Sequence, residues 1–203
     1  MAVWNELHRD IIGEMMNIAA GQAAALLNEM TGEEIALSVP TVSFPTRTEV
    51  ASILESELDE RLAIVTQQLT GVLEGIAAMM IVDHDSKALV SIMIDPELPI
   101  DDVNELEAEA ISELGNIVLN TTMGVLAESL DQEIIIGLPT FGRCDPETVI
   151  DQITDPVLPS IIVRMSLKSV PTGIGGILMF ALDENSMGVL HDHIDRLASD
   201  VAA

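Results

Sequence analysis

Asp10, Glu14, Asn17 and Pro40 recur 99 residues later as Glu109, Glu113, Asn116 and Pro139, in the same order and register. Solenoid units repeat at about 20–50 residues, so a period this long in a 203-residue chain points to a duplicated half-domain. Neither copy of Glu-x-x-Asn is what a buried core needs. The copies therefore read as two surfaces with a task.

The repeat extends well beyond those positions. "DIIGEMMNIAAGQAAALLNEM" lies over "EAISELGNIVLNTTMGVLAES", and "SVPTVSF" over "GLPTFGR". Near the end of each half the offset drifts by one, with Gly75 on Gly175, Asp83 on Asp183 and Ser86 on Ser186. Each half reads as a helix, a Pro-led strand, a variable connection, Gly-containing apolar strands and an Asp-x-x-Ser helix start. The expected fold is α+β: duplicated helix-plus-antiparallel-strand halves, about 1–98 and 99–203, forming one domain over 1–203. Each half alone leaves a sheet edge open, so the halves are expected to share a sheet about a pseudo-twofold axis.

Successive residues placed 100° apart give two long amphipathic helices. Over residues 5–30 the inward face holds Ile12, Met15, Met16, Ala19, Ala23, Leu26, Leu27 and Met30. The outward stripe holds Asp10, Glu14, Asn17, Gly21, Ala24 and Asn28, and Thr31-Gly32 is the expected stop. Over residues 104–130 the inward face holds Ile111, Leu114, Gly115, Val118, Val125 and Leu126, with Glu109, Glu113, Asn116 and Asn120 turned outward. Both motif-bearing helices are thus expected on the surface, with Glu and Asn side by side, about 4.5 Å of rise apart.

Strand expectations fall on "EIALSVPTVSF", "RLAIVTQQL", "GIAAMMIV", "EIIIGLPTF", "SIIVRMSLK" and "GIGGILMFAL". The alternation in "IVRMSLKSV" predicts one wet face. Shorter helices are expected from about Ser86 to Ile94 and Glu184 to Ala198. "DPELPIDDVNE" (95–105) has the Pro and acid content of a boundary.

Composition narrows the function classes. The chain has 34 acidic residues against eight basic, a net charge of -26, and only Lys87 and Lys168 as lysines. Such a surface repels nucleic acid. Low lysine joined to high acid resembles the composition of a high-salt cytoplasm, such as that of a halophilic archaeon; the alternative is an ordinary acidic protein. No apolar run approaches the roughly 18 residues of a membrane span, and the N-terminus lacks a secretory pattern. A single cysteine, Cys144, excludes an internal disulfide. The expectation is a monomeric cytoplasmic protein without nucleic-acid or membrane partners.

Alone, an outward Glu-x-x-Asn is most often solvated helix surface. Duplication, the acid four residues upstream and the Pro 23 residues downstream raise its weight here. A carboxamide takes no proton at neutral pH, but it offers one acceptor oxygen and two donor hydrogens, which suits it to aim a water. Phosphoryl hydrolysis depends on such positioning and on charge stabilisation, and GTPases orient the attacking water with a carboxamide. The chain has no Gly-x-x-x-x-Gly-Lys loop, and both lysines lie outside the motifs. Phosphate, metal and cationic groups would have to come from another protein.

The doubled pattern (Asp/Ser)-x3-Glu-x2-Asn-x22-Pro, with "EMMNIAAGQAAALL" and "ELGNIVLNTT", resembles the CheC family of chemotaxis phosphatases, in the CheC/CheX/FliY superfamily. The resemblance implies hydrolysis of the aspartyl-phosphate of the response regulator CheY. Asn17 and Asn116 would place the hydrolytic water; Glu14 and Glu113 would contact the receiver lysine. Asp10 and Glu109 would support them, and Glu109 departs from the family's Asp or Ser. Pro40 and Pro139 would begin or bend an edge strand. No cofactor of its own is implied, since the phosphorylated receiver supplies Mg2+. CheD is an implied partner, with segment 146–156 as a candidate contact. A non-catalytic adaptor of the same lineage that engages a receiver or CheD is the alternative, and a free-standing small-molecule enzyme is a third reading.

Other features point elsewhere. His191 and His193 diverge on a helix and read as surface residues rather than a metal pair. "DHD" at 83–85 reads as a helix cap, "TGIGG" at 172–176 as tight strand packing, and Cys144 as a buried or loop thiol. Met16, beside Asn17, is a candidate partner contact.

Overall fold

Asn5 opens the first long helix, α1 (Glu6–Thr31). Its side-chain oxygen accepts the His8 backbone N–H at 2.9 Å, satisfying one orphan donor of the first turn. Gly32 closes α1 with φ 73°, a left-handed conformation that glycine adopts without penalty. The Thr31-Gly32 stop therefore forms where the sequence places it.

The computed structural model describes residues 4–32, 36–57, 61–93, 100–153, 160–167 and 174–201. After α1 come β1 (Thr41–Ser43), α2 (Arg47–Glu57), β2 (Leu62–Gly71), β3 (Gly75–Val82) and α3 (Asp83–Met93). The chain continues through α4 (Ile100–Leu130), β4 (Ile134–Ile136), β5 (Thr140–Cys144), α5 (Pro146–Ile153), β6 (Ser160–Leu167), β7 (Ile174–Leu182) and α6 (Glu184–Val201). It is a mixed α/β fold. Seven strands form one sheet in the order β1-β6-β7-β3-β2, and β2 pairs along its outer side with both β4 and β5. The strand pairs are antiparallel.

Side-chain alternation divides the core into two layers. On one face Val65, Leu69, Ala77, Met79, Ile81, Leu178 and Phe180 pack with apolar residues of α1, α3, α4 and α6. On the other, Leu62, Ile64, Ala78, Met80, Ile162 and Met179 pack with Val50 and Leu54 of α2 and Val149 of α5. Helices thus cover both faces, and Ile161, Ile162 and Val163 are all buried. In "IVRMSLKSV", expected to have one wet face, Ile162 and Val163 are buried and Arg164 is half-buried, and the side chains from 165 on lie outside the described residues. Gly75 begins β3 where its backbone meets β7 so closely that a Cβ would lie 2.1 Å from the Ala181 carbonyl oxygen.

Several expectations shift. α4 starts at Ile100 rather than 104, α3 at Asp83 rather than Ser86, and among the described residues of the strand expected over 34–44 only β1 forms a strand. α2 and α5 occupy stretches left as connections. Both carry local start signals: Thr46 and Glu49 cap α2 reciprocally, with Thr46 N donating to Glu49 Oε2 at 2.7 Å and Glu49 N to Thr46 Oγ1 at 3.4 Å. Asp145-Pro146 starts α5, with the Asp145 carbonyl accepting from Thr148 N at 2.9 Å. Leu26 and Met30 are 48% and 43% exposed instead of inward, because near its end α1 meets the core only along Ala23 and Leu27. Of the expected boundary between halves, 95–105, residues 95–99 lie outside the described residues and 100–105 form the first turns of α4. Among those described, no helix is long and apolar enough to cross a membrane.

Candidate functional site

On α1, Asp10, Glu14 and Asn17 are exposed along one stripe while Met15, Met16 and Ala19 anchor the opposite side. Met16 is therefore core, and cannot meet a partner as expected. Asp10, Glu14 and Asn17 line a shallow groove of about 370 Å3 together with Val39, Pro40 and Thr41. Pro40 is buried and directly precedes β1, the edge strand next to β6. Its rigid φ and missing N–H suit that entry. Folding thus brings the four recurring residues of the first copy to one concavity, and no bond to the described residues holds the Asn17 carboxamide.

The second copy is arranged differently. Glu109 and Glu113 are exposed on α4, but Asn116 and Asn120, both expected to face away, are half-buried. Asn116 Oδ1 accepts from Gln67 Nε2 at 3.1 Å and from Asn120 Nδ2 at 2.5 Å. Gln67, on β2 and 1% exposed, also donates Nε2 to the Gly137 carbonyl at 3.0 Å. Pro139 is half-buried between β4 and β5, and Leu138 before it is 90% exposed. Gln67, 49 residues from Asn116, left no trace in the motif.

Two residues before Glu109, the α4 frame is set by a buried charge. Glu107 is fully buried; its Oε2 accepts from Arg143 Nη2, and its Oε1 accepts from Ser86 Oγ at 2.5 Å. Arg143 also donates Nε to Asp83 Oδ1 at 2.7 Å, and its guanidinium lies 5.3 Å from the Phe141 ring centroid. A carboxylate so buried persists only when paired. The network ties α3, α4 and β5 together, and Asp83 opens α3 with its carboxylate turned to Arg143. At the matching helix start, Asp183 accepts from Ser186 N at 2.7 Å. Those Ser186 hydrogen bonds hold its carboxyl below the ordinary 3.8.

Other polar groups serve elsewhere. A cavity of about 650 Å3 is lined by Arg61, Ile64, Thr66, Cys144 and Thr148. Ile64 and Thr66 point to the face opposite Val65 and Gln67, so this cavity lies across the sheet from Asn116. Burial and then the Asp145 charge raise the Cys144 thiol above its usual range, against the pull of Arg61. His191 and His193 diverge, but neither is a surface residue. His193 is buried with Nε2 3.0 Å from Ser129 Oγ, and desolvation first, then Arg196, lowers its pKa.

Among the described residues, His8, His191 and Asp195 form a group whose donor atoms lie within 4.8 Å of one another, which is metal-ligand spacing. His8 Nδ1 already faces the Asn5 N–H at 3.5 Å, leaving Nε2 to donate to Asp195 Oδ1 at 2.8 Å. That arrangement ties α1 to α6 with both ring nitrogens of His8 occupied. Segment 146–156 contains α5; residues 154–156 lie outside the described residues.

Residues 7–44 match the CheC-like family. That span holds Asp10, Glu14, Asn17 and Pro40. By fold, the chain is similar to FliY of Thermotoga maritima, with a TM-score of 0.74, 20% identity, and coverage of 96% of this chain and 98% of that one. It is also similar to the FliM middle domain of H. pylori (TM-score 0.68, 12% identity, 93% and 98% covered). The CheX–CheY–BeF3–Mg2+ complex of Borrelia burgdorferi gives a TM-score of 0.56 at 19% identity, over 84% of this chain and 97% of that one. These likenesses establish the fold.

Proposed function

We propose that the chain belongs to the CheC/CheX/FliY superfamily and hydrolyses the aspartyl-phosphate of a CheY-class receiver. The groove that gathers Asp10, Glu14, Asn17 and Pro40, inside the span that matches the CheC-like family, carries this reading. Asn17 enters the receiver's reaction centre and aims the attacking water, its oxygen accepting a water hydrogen and its N–H groups free to donate. Glu14, one turn earlier on the same face, pairs with the receiver lysine and docks the helix. Mg2+ stays with the receiver. A relative of the same fold was crystallised with CheY, BeF3 and Mg2+, and trifluoroberyllate has the shape of a phosphoryl group. Glu113 and Asn116 form the second candidate site, with Asp10 and Glu109 in support.

The same reading takes residues 1–203 as one domain of two related halves. Its support is the sheet order: β1 flanks β6 as β5 flanks β2, about the central pair β3 and β7. The protein acts as a cytoplasmic monomer, with segment 146–156 as the candidate CheD contact.

A second reading has a specific observation behind it. Three FliM structures of H. pylori give TM-scores of 0.67 to 0.69, above the 0.55 and 0.56 of two CheX structures, and one of them is a FliG–FliM complex. An adaptor that binds a partner without hydrolysis would use the same surface. Decay of labelled phospho-CheY separates the two, measured with wild type, Asn17→Ala, Asn116→Ala and the double variant. A double variant that still binds the receiver and speeds decay as wild type does refutes the catalytic assignment.

A further inference from the structure

Asn17 and Asn116 hold the same register in the repeat, yet their carboxamides meet different surroundings. The direction of the bonds around Asn116 is set by backbone. Gly137 O can only accept, so Gln67 must present its NH2, and that group must find an oxygen on Asn116. Asn116 O also only accepts; it takes Asn120 Nδ2 at 2.7 Å, so Asn120 likewise offers NH2 to Asn116 Oδ1. A carbonyl oxygen has two lone pairs, and both are filled. Asn116 can still donate, but it cannot accept a hydrogen from a water.

Gln67 is an unusual choice for the spot. It is 1% exposed, and its Oε1 has no partner among the described residues. A buried orphan acceptor is costly where an apolar side chain would not be. The contact also depends on how low α4 sits. At Gly115 a Cβ would meet Val65 Cβ and Cγ1 at 2.7 Å, so glycine alone permits this approach, whereas the same register in α1 is the buried Met16. Strand register repeats the contrast: Thr140 pairs with Thr66, followed by Gln67, while Thr41 pairs with Arg164, followed by Met165, which has no amide.

We propose that the two sites are unequal: the α1 site carries most of the hydrolysis, and Gln67 and Asn120 hold the α4 site back by occupying the acceptor of Asn116. This rests on the phosphatase reading above. Gln67 and Asn120 are positioning residues that act through Asn116 and touch no substrate.

The test follows phospho-receiver decay at saturating and limiting receiver. Asn17→Ala, which leaves the α4 site alone, loses about tenfold more activity than Asn116→Ala, the effect of one hydrogen bond that must break. In the Asn17→Ala background, Asn120→Ala or Gln67→Leu restores activity severalfold, in kcat with KM unchanged. Asn120 is half-buried on the helix and alanine favours helix, so its variant keeps the test sound should Gln67→Leu misfold. Equal losses from the two single Asn variants overturn the proposal. So does a second substitution that leaves activity at or below that of Asn17→Ala, since Gln67 and Asn120 would then aim Asn116 rather than restrain it. A fully active Asn17→Ala/Asn116→Ala variant refutes the phosphatase reading itself, a different result from either.

Discussion

Alanine at Gly115 places a Cβ 2.7 Å from Val65 Cβ and Cγ1 and 2.9 Å from Cγ2. Carbon atoms rest at about 3.5–4.0 Å, so helix and strand must part by about 0.8 Å or Val65 must leave its rotamer. Neither is easy. Val65 is β-branched and stiff, fully buried, and held between Met79 of β3 and Phe141 of β5. Overpacking of this kind costs about 1–3 kcal/mol. Alanine also gains about 1 kcal/mol of helix propensity over glycine, which would mask part of the loss. Gly124 supplies the control: it is exposed on the same helix, and a Cβ there meets nothing within 4 Å. Gly124→Ala should therefore gain the propensity alone. The difference between the two variants isolates the steric cost, about 1–3 kcal/mol in urea unfolding or roughly 2–12 °C in Tm. Gly115→Ala stabilised as much as Gly124→Ala would refute the close approach of α4 to β2, and with it the reason Asn116 reaches Gln67.

Four other outcomes follow from the structure. Arg143→Ala leaves the Glu107 carboxylate buried without its cation, so urea unfolding should show a loss of about 3–5 kcal/mol, largely recovered on adding Glu107→Leu. Asp183→Ala removes the α6 cap and costs about 1 kcal/mol at neutral pH. Because the folded carboxyl is held below 3.8, that stabilisation is complete above about pH 4 and disappears as pH falls through the folded value; unfolding at pH 7 and pH 3 should show the gap closing. Val39 and Leu138, 77% and 90% exposed immediately before Pro40 and Pro139, stand at matching positions beside the two motifs. Serine at either should leave Tm nearly unchanged and weaken receiver binding by about 1 kcal/mol in calorimetry. With a net charge of -26, the thermal midpoint should rise as KCl approaches molar levels, where screening extends over only about 3 Å; a falling midpoint counts against high-salt adaptation.

Much of the frame was legible in residue order. The period of α1 and α4 is a local property, and so are the Gly32 stop and the turn residues that bound β2, β3 and β7. The motif acids were placed correctly for the same reason, since a stripe 100° apart on a helix with one apolar face leaves only one exposed side. α2 and α5 carried readable starts in Thr46-x-x-Glu49 and Asp145-Pro146, but both are short and lie between strands, and the pattern of their neighbours dominated. His8 was missed because its partners, His191 and Asp195, sit at the other end of the chain.

The order of side chains by itself determined the repeat, the two long amphipathic helices, the caps and the apolar strands, because each depends on residues within a few positions of one another. Tertiary structure alone decided which sheet faces are covered, how low α4 lies, and what each asparagine can still accept. Those outcomes depend on groups brought together from distant segments, and a carboxamide has the same letter in the sequence whether its oxygen is open to water or already filled.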